Sequence, residues 1–272
     1  MRSFVNVVSA AMPNLRPKLV TGFHRAMYSG LSIMLKDDDS AFLNYGFSSI
    51  SPTDSKLELK SADEADRYSI QLYHHVASAW PLAGKDVIEV GCGRGGGASF
   101  VVRYLKPASY TAIDLSKRAI DFCRRRHKLP NLKFMQGNAE DLLLPSQSCD
   151  VVLNVESSHC YPSFERFLEE VLRVLRPDGR FLFADLRFRE EAPDLRAQLQ
   201  KHFEIVEEES INRQIVRALE LDSERRVALI RKRAPKFLYA GMDAFAGVHG
   251  SQTFETFASG ERQYLRFVLK PR

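Results

Sequence analysis

The chain has 272 residues, 44% hydrophobic and 27% charged, with 15 glycines and 12 prolines, so it holds enough apolar material for a full core and no bias toward disorder. A net charge of +5, dispersed apart from segments 124–128 and 225–236, fits solvated helix faces better than nucleic-acid binding, and no zinc-finger, RNP or helix-turn-helix pattern is present. The four cysteines lack C-x-x-C spacing and no stretch approaches the roughly 20 apolar residues of a membrane span, so the expectation is a soluble or at most peripheral cytoplasmic protein with reduced thiols and no metal.

The first residues, through Val8, are too interrupted by Asn6 and Pro13 to read as a signal peptide. After a polar stretch over 51–66, the spacing of Ile70, Tyr73 and Val76 predicts a helix over 67–80. Short apolar runs follow at 86–90, 109–113, 132–135, 150–154 and 180–185, each of a length and composition suited to a buried strand. Helical segments at 98–105, 117–126 and 164–175 lie between them, the last stopped by Pro177-Asp178-Gly179, which reads as a turn. Alternation of this kind predicts a doubly wound, Rossmann-like α/β sheet of about seven strands. Further on, a helix over 194–202, a strand over 203–208 and a final strand over 263–269 are expected. The intervening 211–261 carries helical spacing and then Phe237, Tyr239, Phe245, Phe254 and Phe257, and an insertion of that length reads as a lid. The expected division is a single domain: an N-terminal helical cap over 1–66, a core over 67–210 and 262–272, and the lid.

Residues 87–98 read V-I-E-V-G-C-G-R-G-G-G-A, in which Gly91, Gly93 and Gly96 satisfy G-x-G-x-x-G. That pattern alone does not choose a nucleotide. Glu89, two residues before Gly91, would repel the pyrophosphate of NAD and suits a ligand with a positive group near the loop, such as the ammonium and sulfonium of S-adenosylmethionine (SAM). Asp114, ending the second strand, can accept from both ribose hydroxyls of either nucleotide.

With these residues the chain resembles the class I SAM-dependent methyltransferases over about half its length. The likeness is carried, in order, by V-I-E-V-G-C-G-R-G, T-A-I-D-L-S at 111–116, Q-G-N-A-E-D-L at 136–142, C-D-V-V-L-N-V-E-S-S-H at 149–159 and L-R-V-L-R-P-D-G at 172–179. The resemblance implies that Glu89, Gly91 and Gly93 hold the methionine end of SAM, Asp114 and Leu115 the ribose side, and Asn138 with Ala139 the adenine. It also implies that Asn154 and Val155 present backbone to the methionine moiety. Many members have Asp at the position of Asn138, whose amide oxygen can still accept from the adenine amino group. Within this class the chain is similar to the phthiotriol and phenolphthiotriol dimycocerosate methyltransferases, which O-methylate long-chain lipids, through G-G-G-A-S-F, L-K-P-A-S-Y-T and L-N-V-E-S-S-H-C-Y-P.

Methyl transfer to an unactivated hydroxyl requires a base. His159, just past the fourth strand, has an ordinary pKa of about 6.5, suited to proton removal near neutrality. Asp185, at the same edge of the next strand, can orient the imidazole and stabilise its charged form, and similar O-methyltransferases use a His and an Asp at these positions as a catalytic pair. A backbone-bonded loop histidine and a capping aspartate are the alternative. Glu156 competes as base or as a partner for the SAM ammonium; Tyr161 and Phe245 are candidate acceptor contacts, and His249 a further group reaching in from the lid. His74 and His75 read as packing or surface residues. Tyr45 resembles aromatic lid residues lying over SAM, with a place in the core as the alternative. The expected activity is O-methylation of a hydrophobic lipid or polyketide, with C- or N-methylation, or SAM binding without catalysis, as alternatives. The basic 225–236 face offers peripheral contact with an anionic membrane.

Overall fold

The computed structural model describes residues 41–51 and 56–272. The expected cap at 1–66 therefore falls in part outside the described residues, and so does everything expected of the first forty. Seven strands form one sheet in the order β3-β2-β1-β4-β5-β7-β6. They are β1 (Asp86–Val90), β2 (Ser109–Asp114), β3 (Leu132–Gln136), β4 (Cys149–Val155), β5 (Leu175–Phe188), β6 (Phe203–Ser210) and β7 (Arg262–Pro271). The first five pair in parallel, and β7 enters antiparallel between β5 and β6. Helices α1 (Arg67–Ala77), α2 (Gly96–Leu105), α3 (Lys117–Arg126), α4 (Phe164–Val174) and α5 (Ala192–His202) accompany them. Between β6 and β7 run α6 (Asn212–Arg233), α7 (Tyr239–Phe245) and α8 (Gln252–Ala258).

The sheet is buried on both faces, which is why its central strands read as apolar runs. Successive side chains alternate: Val87, Val151, Leu153, Leu182 and Ala184 pack beneath α1, α2, α3 and the inner faces of α6 and α8. Ile88, Val90, Val152, Phe181 and Phe183 pack against α4 and α5 on the other side. Apolar residues on α4 recur at Phe167, Leu168, Val171 and Val174, all fully buried, and Ser163 caps its first turn by accepting from the Arg166 amide. Pro177-Asp178-Gly179, expected as a turn, instead lies within β5, where the register with β4 jumps from Cys149↔Leu175 to Val151↔Arg180. The loop is absorbed as an irregularity of the strand because pairing with β4 resumes immediately.

Strand order reverses direction between β1 and β4, and there the carboxyl ends of two neighbouring parallel strands diverge into separate loops. That gap is where open α/β sheets bind ligands.

Candidate active site

A cavity of about 510 Å³ opens at this switch point, and its lining brings together much of what the sequence singled out: Gly91, Gly93, Asp114, Leu115, Asn138, Ala139, Val155, Glu156 and Tyr161. The glycine loop is fixed from the side of β2. The amides of Gly91 and Cys92 both donate to the Ile113 carbonyl, and the Gly93 amide donates to Asp114 Oδ2 at 2.9 Å. Gly91 has φ +80°, and a Cβ there would meet the Ser157 hydroxyl at 2.3 Å, so only glycine fits. A Cβ on Gly93 would meet nothing within 4 Å and would stand in open space that a ligand can use.

Asp114 accepts from the Gly93 amide on one carboxylate oxygen and from the Ser116 amide on the other, at 2.8 Å. Burial raises its pKa and these two amides oppose the rise. Each oxygen keeps a further lone pair for a donor in the cavity. Asn138 uses its side-chain oxygen to accept from the Glu140 amide, which shapes the turn at the cavity rim.

Glu89 is not itself among the residues lining the cavity. Strand alternation puts it on the face of Val87, beneath α1, where it is fully buried and accepts from the hydroxyls of Tyr73 at 2.8 Å and Tyr110 at 2.9 Å. Burial pushes its pKa up to about 7 against the pull of the two hydroxyls. The carboxylate therefore supports the site through Tyr73, which lines the cavity. Asn154 is likewise beneath the surface: its amide nitrogen lies 2.9 Å from the Val90 carbonyl, 2.8 Å from the Ser157 hydroxyl and 3.0 Å from that of Tyr161, tying the end of β4 to the loop after β1. Only its neighbour Val155 reaches the cavity.

At the end of β4 the chain turns through Glu156, whose φ of +53° is unusual for a residue with a side chain. One of its carboxylate oxygens accepts from the Tyr45 amide and from the Tyr264 hydroxyl, each at 3.0 Å. Burial raises its pKa to about 7, opposed by the Tyr45 amide, the nearby His159 and the Tyr264 hydroxyl.

His159 and Asp185 meet. The His159 Nδ1 lies 2.7 Å from one Asp185 oxygen and the His159 amide donates to the other at 2.9 Å. Asp185, fully buried, also receives the Ser158 hydroxyl at 2.5 Å and the Arg187 guanidinium at 3.2 Å. Burial alone lowers the His159 pKa, but the Asp185 carboxylate, aided by Cys160, outweighs it and holds the imidazole above its ordinary value. Burial raises the Asp185 pKa, yet the imidazole and the Arg187 guanidinium reverse this and hold it well below the usual carboxylate range. His159 is not itself on the cavity wall; Ser157 and Cys160 on either side of it are.

His249 stays at the surface with its ring against Phe254 at 4.7 Å, and does not line the cavity. Phe254 and Phe257 are buried in the core, the latter edge-on to Tyr45 at 5.1 Å, and anchor the lid there. Tyr45 belongs with them, and also lines a second, smaller cavity of about 90 Å³ together with Phe245. Phe42, Leu43 and Asn44 border both cavities. His74 packs edge-on to Phe100, and His75 stacks on Phe47 and contacts Glu209.

Tyr73, Tyr264, Ser158 and Arg187 were not singled out for the site. Tyr73 was legible only as an apolar position of α1, Ser158 lay within the E-S-S-H run without a role of its own, and Tyr264 and Arg187 carry no local motif.

A sheet of this order, with an antiparallel β7 and a glycine-lined cavity at the β1/β4 switch, defines a doubly wound α/β fold with its ligand cavity at the switch point. Residues 88–183 match the methyltransferase domain family. The chain is 44% identical over 225 residues to a fatty-acid O-methyltransferase of Mycolicibacterium smegmatis, covering 82% of this chain and 81% of that protein. It is 43% identical over 247 residues to the phthiotriol/phenolphthiotriol dimycocerosates methyltransferase of Mycobacterium tuberculosis, covering 90% of each. Among solved structures, a cyclopropane synthase from Mycobacterium tuberculosis superposes with a TM-score of 0.65 at 16% identity, over 88% of this chain and 95% of that one. The chain belongs to the class I SAM-dependent methyltransferases.

Proposed function

We propose that the protein uses SAM to methylate an oxygen of a long-chain lipid, with Asp114 at the cofactor ribose and His159, oriented by Asp185, as the base. The observation that supports this most directly is the 2.7 Å contact between His159 and a fully buried Asp185 at the margin of the switch-point cavity. The names of the two relatives, both lipid methyltransferases, support the acceptor class.

The cavity fits SAM on its own chemistry. Asp114 has lone pairs for a diol, and Gly93 leaves open space where a side chain would intrude. When bound, SAM supplies a methyl group made electrophilic by its sulfonium. Gly91, Gly93 and Val155 border the methionine side, and Asn138 with Ala139 the adenine side. A carboxylate only accepts hydrogen bonds, so Nδ1 of His159 carries a proton and Nε2 is the atom that exchanges one with the acceptor. Asp185 compensates the imidazolium that results. Glu156 positions the loop, through Tyr45 and Tyr264, and borders the acceptor.

A carboxylate acceptor is the second reading, favoured by the charge that Asp185 imposes on His159. A fatty acid needs no base, and an imidazolium attracts it. Incubating the purified protein with methyl-labelled SAM and lipid fractions, then identifying the product, tests both. Label on a hydroxyl oxygen supports the first reading, and a methyl ester the second. Label on carbon or nitrogen, or no labelled lipid, overturns the proposal.

A further inference from the structure

From Arg225 to Met242 the chain carries Arg225, Arg226, Arg231, Lys232, Arg233 and Lys236 and no acidic residue. Four of these cations, Arg233 among them, are engaged within the protein. Arg225 and Arg226 grip the buried Asp222, and Arg231 pairs with Asp243 at 2.7 Å. Lys232 and Lys236 are exposed, one in the last turn of α6 and the other on the tight turn after it. Phe237 and Leu238 follow directly, 83% and 36% exposed. Among the described residues they are the only adjacent pair of exposed large hydrophobics, and Phe237 is the only exposed aromatic of that size.

Behind this tip, α6 and α7 turn inward. Leu229, Ile230, Met242 and Phe245 line the smaller cavity, which shares Phe42 to Asn44 with the main one. This smaller cavity, whose lining also includes Arg225, Arg226 and Arg233, thus lies against the elements that carry the exposed tip. We propose that Lys232, Lys236, Phe237 and Leu238 form a docking surface for an anionic lipid bilayer, from which the acceptor reaches the site; this rests on the lipid-acceptor reading above. Lysines near such a surface are attracted by its negative potential, and an aromatic beside them gains by entering the interface. A nucleic acid would use the lysines and leave Leu238 in water, whereas a bilayer engages all four residues.

Co-sedimentation of the full chain with phosphatidylcholine vesicles, with and without phosphatidylglycerol, tests this. Binding is expected to the anionic vesicles, to weaken with salt, and to fall by on the order of tenfold in Lys232→Ala/Lys236→Ala and in Phe237→Ser. Phe237 is too exposed for its loss to unfold the protein, and methyl transfer to a detergent-dispersed acceptor, run in parallel, is expected to stay at the wild-type rate in both variants. Equal sedimentation with neutral and anionic vesicles, or wild-type binding by Phe237→Ser, overturns the docking surface. Displacement by an oligonucleotide with no effect of Phe237→Ser assigns the patch to nucleic acid and overturns it too. Loss of transfer to the dispersed acceptor by the wild type itself would instead count against the proposed function.

Discussion

Asp185 accepts from His159 twice, from the ring Nδ1 at 2.7 Å and from the backbone amide at 2.9 Å, so the carboxylate fixes both the rotation of the imidazole and its tautomer. The arrangement arises because β4 and β5 are parallel neighbours whose carboxyl ends lie level, with Val155 opposite Ala184. The next residues, Glu156 and Asp185, then open onto the same edge, and the short turn after Glu156 brings His159 back over Asp185.

His159→Ala is expected to lower turnover by about 10² to 10⁴ while leaving SAM affinity within about twofold, the mark of a lost base rather than a lost binding contact. Equal loss of both in calorimetry and steady-state kinetics would assign the histidine to binding.

The raised pKa of His159 sets the direction of the pH profile. For a hydroxyl acceptor the imidazole must be neutral, so kcat/KM is expected to climb as pH rises past the ordinary histidine value of about 6.5 toward the raised one. Asp185→Asn removes the charge that raises it, and the inflection is expected to move down. A profile that falls over the same range identifies the carboxylate acceptor, for which the imidazolium is the active form.

The same pair has a stability signature. The histidine pKa is raised on folding, so its contribution is full below about 6.5 and is lost as pH climbs through the folded value. That of Asp185 is depressed, so its contribution is full above about 3.9 and is lost as pH falls through the folded value. The difference in Tm between wild type and His159→Ala is expected to be greatest between these limits and to shrink on the alkaline side, as scanning calorimetry over pH can measure.

What was legible in the sequence follows from what local pattern can carry. The strands were, because a sheet covered on both faces demands apolar runs. The meeting of His159 with Asp185 was, because parallel neighbours share an edge. The destination of Glu89 was not: alternation gives its face, but its partners Tyr73 and Tyr110 come from a helix and a strand that only tertiary packing brings over it. Nor were the partners of Glu156, since Tyr264 lies 108 residues away. The lid aromatics read alike in sequence, yet Phe237 is in water, Phe245 on a cavity wall and Phe257 in the core.

Asp114→Ala removes a carboxylate with two lone pairs toward the cavity, and SAM affinity is expected to fall tenfold or more, at roughly 1 kcal/mol or somewhat more for each hydrogen bond lost. Glu89→Gln keeps hydrogen-bond acceptance from Tyr73 at a position off the cavity lining, so its SAM affinity is expected to change by less than about threefold. Reversal of that order in titration calorimetry would restore Glu89 to the ligand.

The last expectation concerns the acceptor chain, and the structure separates two phenylalanines that sequence treats alike. Phe245 lines the smaller cavity with Leu229, Ile230 and Met242, whereas Phe254 is 5% exposed and packs in the main core. An acceptor whose alkyl chain enters that cavity gains up to about 0.8 kcal/mol per buried methylene, close to fourfold in kcat/KM, until the space is filled. Across a homologous series, kcat/KM of the wild type is expected to rise with chain length and then level off. Phe245→Ala enlarges the cavity and removes contact surface, so the early rise should flatten while the unfolding temperature changes little. Phe254→Ala should do the opposite: it opens a void beneath the lid that costs about 3–5 kcal/mol of stability, and the slope with chain length should persist in whatever protein stays folded. A slope untouched by Phe245→Ala would place the acceptor chain elsewhere, and its independence of alkyl length in the wild type would count against a lipid acceptor altogether.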